Sequence, residues 1–417
     1  MKGMCYCMKN KINIKQIIED KNLQLTFEPV VSIIKQAIIG FKVSSVGCYE
    51  NGEFISIDKL MKVAEKDNLS IELDRLYREK AVEIFASIYS KNKELLLFIN
   101  INASLISKFV GSGIIMELIE VYNINPENIV LEIVEDKVED IEGLRNFINF
   151  YRSKGFLVSL SDIGYGLANL DKISYVEPDI IKISGVITEN ISSDYYKQEI
   201  FKALVNLSKN IGALVIGDGI ESNIESLTAM ELGADMLGGD YFGNCEIIND
   251  EFIVNAQDNI VKIAKEYENY MMEKAKLEKN KYKNYEKVIE KVIKELSITD
   301  EEEFDNKLSK IIDSYNDFEC IYLLNEKGVQ ITDTFTYYKN MMPQKALIFS
   351  PAKKGTKHSL KKYYYFLKNM ALRKYVTEPY ISLATGNLCI TISSIFKGIN
   401  DKKYILCIDF NPNDISL

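Results

Sequence analysis

The chain contains a single histidine, His358, in 417 residues. One imidazole cannot build a histidine-based metal site, and Ser-His-Asp catalysis has little to draw on. No apolar run approaches the roughly 20 residues needed to cross a bilayer, so no membrane span is expected. The N-terminal stretch MKGMCYCMKNKINIKQ lacks the apolar core of a secretory signal. The seven cysteines are odd in number and scattered, with only Cys5 and Cys7 close together. That pattern excludes a disulfide framework and paired zinc ligands. Reduced thiols in a cytoplasmic protein are the expectation, with a Cys-x-Cys redox pair as the alternative. Positive charge is also in deficit. The net charge of −9 argues against nucleic acid as a partner, because that needs a cationic surface. The densest basic stretch, Lys353 to Lys362, holds five lysines around His358 and reads as a solvated loop.

What is present fits a soluble globular chain of two domains. Apolar residues make up 47% and charged residues 27%, and the length exceeds one ordinary core. Short apolar strands are expected at 24–31, 37–45, 95–101, 129–135, 157–163, 180–183, 213–218 and 236–240. Helical periodicity separates most of them, over Ile57 to Tyr89, Leu105 to Asn123, Ile141 to Lys154, Tyr196 to Ile211 and Ile224 to Leu232. Eight strands alternating with helices predict a closed β/α barrel. Only Ser32 to Gln36 joins the first two strands, too short for a helical crossover, so that pair should be antiparallel.

Residues 251–297 have no proline or glycine and carry apolar residues at helical spacing, including Ile260, Ile263, Ile289, Val292 and Leu296. One long helix is expected, either continuous or broken near Asn280. Residues 298–417 read as a small antiparallel sheet with flanking helices. Strands are expected on both sides of a turn at Asn325 to Gly328, over Leu388 to Phe396 and over Tyr404 to Phe410, with a helix near Lys361 to Leu372.

In a β/α barrel, chemistry gathers where strands end. The polar residues there are Lys42, Asn100, Glu132, Glu135, Ser161, Asp162, Lys182, Asp218 and Glu221, with Gly238 on the last strand. Carboxylates and amides converging on one rim suit hard divalent cations, whereas any one of them alone reads as a cap or turn residue.

At this point the sequence resembles a known family. Phe27-Glu28-Pro29-Val30-Val31 followed by Gly40-Phe41-Lys42-Val43-Ser44 resembles the opening of an EAL domain. Leu131-Glu132-Ile133-Val134-Glu135 is similar to its LEITE strand. Ser161-Asp162-Ile163-Gly164-Tyr165-Gly166 is similar to DDFGTG, and Ile181-Lys182-Ile183-Ser184 to LKID. Gly217-Asp218-Gly219-Ile220-Glu221-Ser222 is similar to AEGVET, and Gly238-Gly239-Asp240-Tyr241-Phe242-Gly243 to QGYYFG. Six blocks in order span about 220 residues. The resemblance implies a cyclic di-GMP phosphodiesterase that uses two Mg or Mn ions to activate water.

The resemblance also assigns roles. Asn100, Glu132 and Asp162 would bind metal, if metal binds at all. Asp218 would stand at the general base, with Lys182 steadying the nucleophile, so that Lys182, Asp218 and Glu221 are the remnants of the catalytic set. Ligand contacts would come from Lys42, Asn100, Glu132, Glu135, Asp162, Lys182, Asp218, Glu221 and Gly238. The departures are Lys42 for the name-motif glutamate, Ser161 for the first DDFGTG aspartate, Ser184 for the LKID aspartate, Gly238 for a glutamine and Val46 for an arginine. A lysine about 4 Å from a divalent ion is repelled by roughly 8 kcal/mol at an effective dielectric of about 20.

The expectation is therefore a degenerate member, without a resident cofactor, acting as a cyclic di-GMP receptor or a protein-interaction module. A weakly active phosphodiesterase is the alternative. The expected architecture is a TIM-like (β/α)8 barrel with an antiparallel first strand at 1–250, a linking helix at 251–297 and an α+β domain at 298–417. Asn325 to Ile331 and Tyr375 to Ser382 give the last a PAS/Cache-like resemblance, and a homodimer through either domain is expected.

Overall fold

The computed structural model describes residues 12–50, 53–102, 113–134, 140–165, 170–337, 348–399 and 401–412. Two compact units emerge, Met1–Met272 and Glu273–Leu417.

The first unit is a ring of strands. In chain order they are β1 (Gln24–Ser32), β2 (Ala37–Glu50), β3 (Glu53–Ser56), β4 (Leu96–Asn102), β5 (Ile129–Val134), β6 (Leu157–Ile163), β7 (Ile180–Ile183), β8 (Leu214–Gly217) and β9 (Met236–Leu237). From β2 through β4 to β9 the ring neighbours are parallel. β1 runs against both its neighbours, pairing with β2 and, through Val31 and Leu237, with β9. Eight strands thus close a barrel with one reversed strand, as the short first connection predicts. β3, absent from the sequence reading, pairs only with β2 outside the ring.

Helices form where caps and apolar stripes coincide. Asp140 accepts from the Gly143 N–H at 2.8 Å and opens Ile141–Ser153. Ser222 and Glu225 form a reciprocal capping box that opens Asn223–Glu231. The stretch of helical periodicity from Ile57 to Tyr89 forms two helices, Ile57–Asp67 and Ser70–Tyr89. Asn68 between them adopts a left-handed conformation with φ 55°, which asparagine tolerates and which ends a helix. At the strand starts, Asp179 accepts from Val158 N–H at 2.8 Å and Asp235 from Val215 N–H at 2.9 Å, locking adjacent strands in register.

The expected long helix is continuous over Asp250–Ser297, with no break near Asn280. With no proline or glycine and many lysines and glutamates, nothing in it opposes helix. Ile260 and Ile263 belong to the core of the first unit, and Tyr285, Ile289, Val292 and Leu296 to that of the second.

The second unit holds β10 (Phe318–Asn325), β11 (Phe335–Thr336), β12 (Lys374–Val376), β13 (Tyr380–Ile381), β14 (Leu388–Lys397) and β15 (Lys403–Phe410). Their antiparallel order is β11-β10-β15-β14-β12, with β13 also on β14. One face packs on Phe304–Ile312, and the other on Lys362–Asn369. The strand expected after the Asn325 turn is only a pair of isolated bridges at Gln330 and Val329. His358 is not solvated with its lysine neighbours. It is buried, stacked on Tyr322, with Nε2 2.8 Å from Gln330 Oε1 and Nδ1 2.6 Å from Tyr363 Oη. Because the amide oxygen only accepts, Nε2–H donates to it and Nδ1 accepts from the tyrosine. Burial, with Lys361 nearby, drops its pKa to about 4.

Candidate functional site at the barrel mouth

Side chains on a strand alternate between faces, so residues two apart share the barrel interior. Val30, Phe98, Val130, Ile180, Ile216 and Met236 form one apolar layer inside the ring. Two residues further along each parallel strand come Asn100, Glu132, Lys182, Asp218 and Gly238. On the reversed β1 the same step runs backwards, from Val30 to Glu28. Glu28 faces Lys42 in register across the hairpin. The polar layer rests on an apolar floor, which is why its charges are buried and must pair with one another.

The Lys42 ammonium lies 2.9 Å from Glu28 Oε2 and 2.5 Å from Asp218 Oδ1. Lys182, 7% exposed, pairs with Glu132, 2% exposed, and reaches Asp218 Oδ2 at 3.4 Å. Ser161 donates its hydroxyl to the same Glu132 carboxylate. Asp218 therefore sits between two ammonium groups. Burial alone would raise its pKa, but Lys182 and Lys42 outweigh burial and hold it near 2. Burial opposes the charge on Lys42 and on Lys182 as well, yet their carboxylate partners raise both. Asp162 occupies a register shift in β6 with φ 56°, a local distortion that re-aims a side chain. Burial raises its pKa, partly offset by Lys182.

The structure thus brings Lys42, Glu132, Asp162, Lys182, Asp218 and Gly238 to one mouth. Asn100 is beside Glu132 in register, and its backbone N–H donates to Tyr77 Oη at 3.2 Å. Glu221 is exposed and joins no ion pair among the described residues, its N–H bonded to the Glu225 carboxylate at 3.0 Å. Glu135, Gly166, Cys5 and Cys7 lie outside the described residues. Among the described residues, no three His, Cys, Asp or Glu side chains are arranged to hold a metal ion. Also among them, no helix is long and apolar enough to cross a membrane. The residue that sequence reasoning missed is Glu28. Its hairpin register with Lys42 and its two-residue step from Val30 were the available signals.

The fold has solved counterparts. The crystal structure of Bacillus subtilis YkuI, with an EAL domain, in complex with c-di-GMP and calcium, gives a TM-score of 0.77 over 97% of this chain and all of that one, at 20% identity. The Xanthomonas citri FimX EAL domain in complex with c-di-GMP gives 0.51 over 57% of this chain and 94% of that one, at 21% identity. By sequence, the EAL-domain protein YkuI is 24% identical over 388 residues, covering 88% of this chain and 90% of YkuI. The probable cyclic di-GMP phosphodiesterase PdeB of Escherichia coli K12 is 22% identical over 210 residues, half of this chain. The chain spans only 40% of PdeB. The EAL domain model matches residues 12–244, more than half of the chain and the whole barrel ring, so this protein belongs to the EAL domain family.

Proposed function

We propose that this chain acts in cyclic di-GMP signalling without efficient hydrolysis, as a regulatory module. The observation that carries this reading is the Lys42 ammonium, bonded to Glu28 and Asp218 where the family resemblance calls for a metal-binding glutamate. Two divalent ions need free carboxylate oxygens. Here Lys42 and Lys182 occupy Glu28, Glu132 and Asp218, and a serine replaces one acid. The donor set does not fit a metal pair.

The same charges bear on the choice between receptor and interaction module. Four carboxylates, counting Asp162, surround two ammonium groups. A phosphodiester at about 4 Å from the uncompensated charge is opposed by about 4 kcal/mol per charge pair at an effective dielectric of about 20. The lysines are engaged internally, which favours a protein-interaction module over a metal-free nucleotide receptor. The receptor reading has its own support, since YkuI binds c-di-GMP in the presence of calcium. In this reading Asn100, Glu132, Asp162, Lys182, Asp218 and Gly238 line the nucleotide side of the mouth. The C-terminal sheet serves as a PAS/Cache-like regulatory domain, and a second copy of the chain completes a homodimer.

Two assays test the proposal on the full chain. Turnover of cyclic di-GMP with Mg²⁺ or Mn²⁺ should be absent, and steady conversion to the linear dinucleotide would overturn the proposal. Calorimetry with cyclic di-GMP should give no heat in EDTA. Tight binding in EDTA would establish the metal-free receptor instead.

A further inference from the structure

The basic stretch from Lys353 to Lys362 takes no part in the barrel mouth, and the second unit holds it firmly. The buried His358 side chain anchors its middle through Gln330 and Tyr363. The backbone is tied to the Asn325–Gly328 turn and the segment after it. His358 N–H donates to the Gly328 carbonyl and Gly355 N–H to the Gln330 carbonyl, both at 2.8 Å, and Gln330 N–H donates to the Thr356 carbonyl at 2.9 Å. On this pinned backbone Lys353, Lys354, Lys357, Lys361 and Lys362 are all exposed, as is Lys327 on the adjoining turn.

Nearby acids do not neutralise them. Glu326 precedes Lys327, Asp333 accepts from the Lys354 N–H at 3.2 Å, and Glu301 faces Lys354 from a distance. The ion pairs described in this unit are made by other lysines, Lys307, Lys374, Lys397 and Lys402. Lys361 and Lys362 open the helix Lys362–Asn369, whose first turn has no acid. Cations at a helix N-terminus oppose its dipole, so these two are not there to steady the helix, and an anion lying over them relieves the opposition. Leu360 stands among the lysines with 91% of its surface exposed. A soluble polyanion offers a leucine nothing, whereas a lipid interface buries it beside the charges.

We propose that this loop docks the second unit on an anionic membrane surface, the lysines binding lipid phosphates and Leu360 entering the interface. The chain then lies on the bilayer without spanning it. Flotation of the full chain with vesicles tests this. It should bind phosphatidylcholine vesicles that contain phosphatidylglycerol, ignore pure phosphatidylcholine vesicles, and come off at high salt. Each of Lys353→Gln, Lys357→Gln and Lys361→Gln should weaken binding about fivefold, and Lys357→Arg should retain it. Leu360→Ser, which keeps every charge, should weaken it about tenfold. These side chains are exposed, so the urea midpoints of the variants should match the wild type. The proposal is overturned if the wild type ignores the anionic vesicles, if it binds both kinds equally, or if the lysine variants bind as the wild type does. It is also overturned if Leu360→Ser binds as tightly as the wild type, because the loop then recognises phosphate charge alone. Displacement by inorganic polyphosphate would identify that ligand. None of these readouts depends on cyclic di-GMP, so they stand or fall apart from the barrel-mouth reading.

Discussion

Asp218 at the barrel mouth and Asp409 in the C-terminal sheet are both buried acids in different company. Asp218 faces two ammonium groups. Asp409 accepts from the Thr391 hydroxyl at 2.7 Å, the Cys320 thiol at 3.2 Å, the Ser382 hydroxyl at 3.3 Å and the Cys389 thiol at 3.7 Å. Among the described residues no cation pairs with it. The pKa directions diverge accordingly. Asp218 is held near 2 because the lysines outweigh burial, whereas burial dominates at Asp409 and raises it. A fixed ion pair commits its site to a charge pattern, and neutral donors leave a carboxyl free to be protonated. The first arrangement fixes the charges of the barrel mouth, the second forms a polar network that organises a sheet face.

The largest expected effect is at Lys182. Lys182→Met leaves Glu132 and one side of Asp218 buried without their cation, and should cost about 3–5 kcal/mol in urea unfolding. Tyrosine fluorescence is the convenient signal, as the chain has no tryptophan. A loss under about 1 kcal/mol would break the contrast between the two acids. Asp409→Asn should cost less, about 1–2 kcal/mol, because the hydroxyl and thiol donors can reorient around an amide. An equal loss at both positions would mean that Asp409 is held as an anion after all.

Acid sharpens the comparison by separating the units. The folded His358 has a pKa near 4 against the ordinary 6.5, so between those values the unfolded chain binds more protons. Stability contributed by neutral His358 is therefore lost as the pH falls from 6.5 toward 4. The Asp218 contribution is present above the ordinary 3.8 and disappears only as the pH falls through about 2. Asp409, with its raised pKa, works in the opposite direction and favours the folded state at lower pH. Hydrogen exchange across pH 7 to 4 should show the His358 region loosening before the barrel mouth, and His358→Gln should flatten that response. The smallest effect expected is at a site belonging to neither cluster. Ser222→Ala removes half of a capping box and should cost about 1 kcal/mol, read as a small shift in the urea midpoint.

Much of the barrel was legible in the sequence because strand and helix periods are local. The fully apolar step Ile129-Val130-Leu131 and the alternation through Glu132 mark β5 without any tertiary knowledge. The reversed first strand followed from the short connection. The break at Asn68 was hidden, because a single left-handed residue leaves the apolar spacing on both sides intact. His358 was misread for a related reason. Its lysine neighbours set the local composition, while its burial depends on Gln330 and Tyr363, brought up by other segments.

The sequence by itself determined which residues share the barrel interior, since a two-residue step from each apolar position leads to one polar layer. It also determined the family, through six ordered blocks. Only the tertiary structure decided that Lys42 meets Asp218, 176 residues away, that Glu28 joins them, and that Gly238 leaves the space for all three. The reason is physical: strand alternation is fixed by backbone geometry within a few residues, whereas the pairing of buried charges depends on which strand ends the closed ring sets side by side.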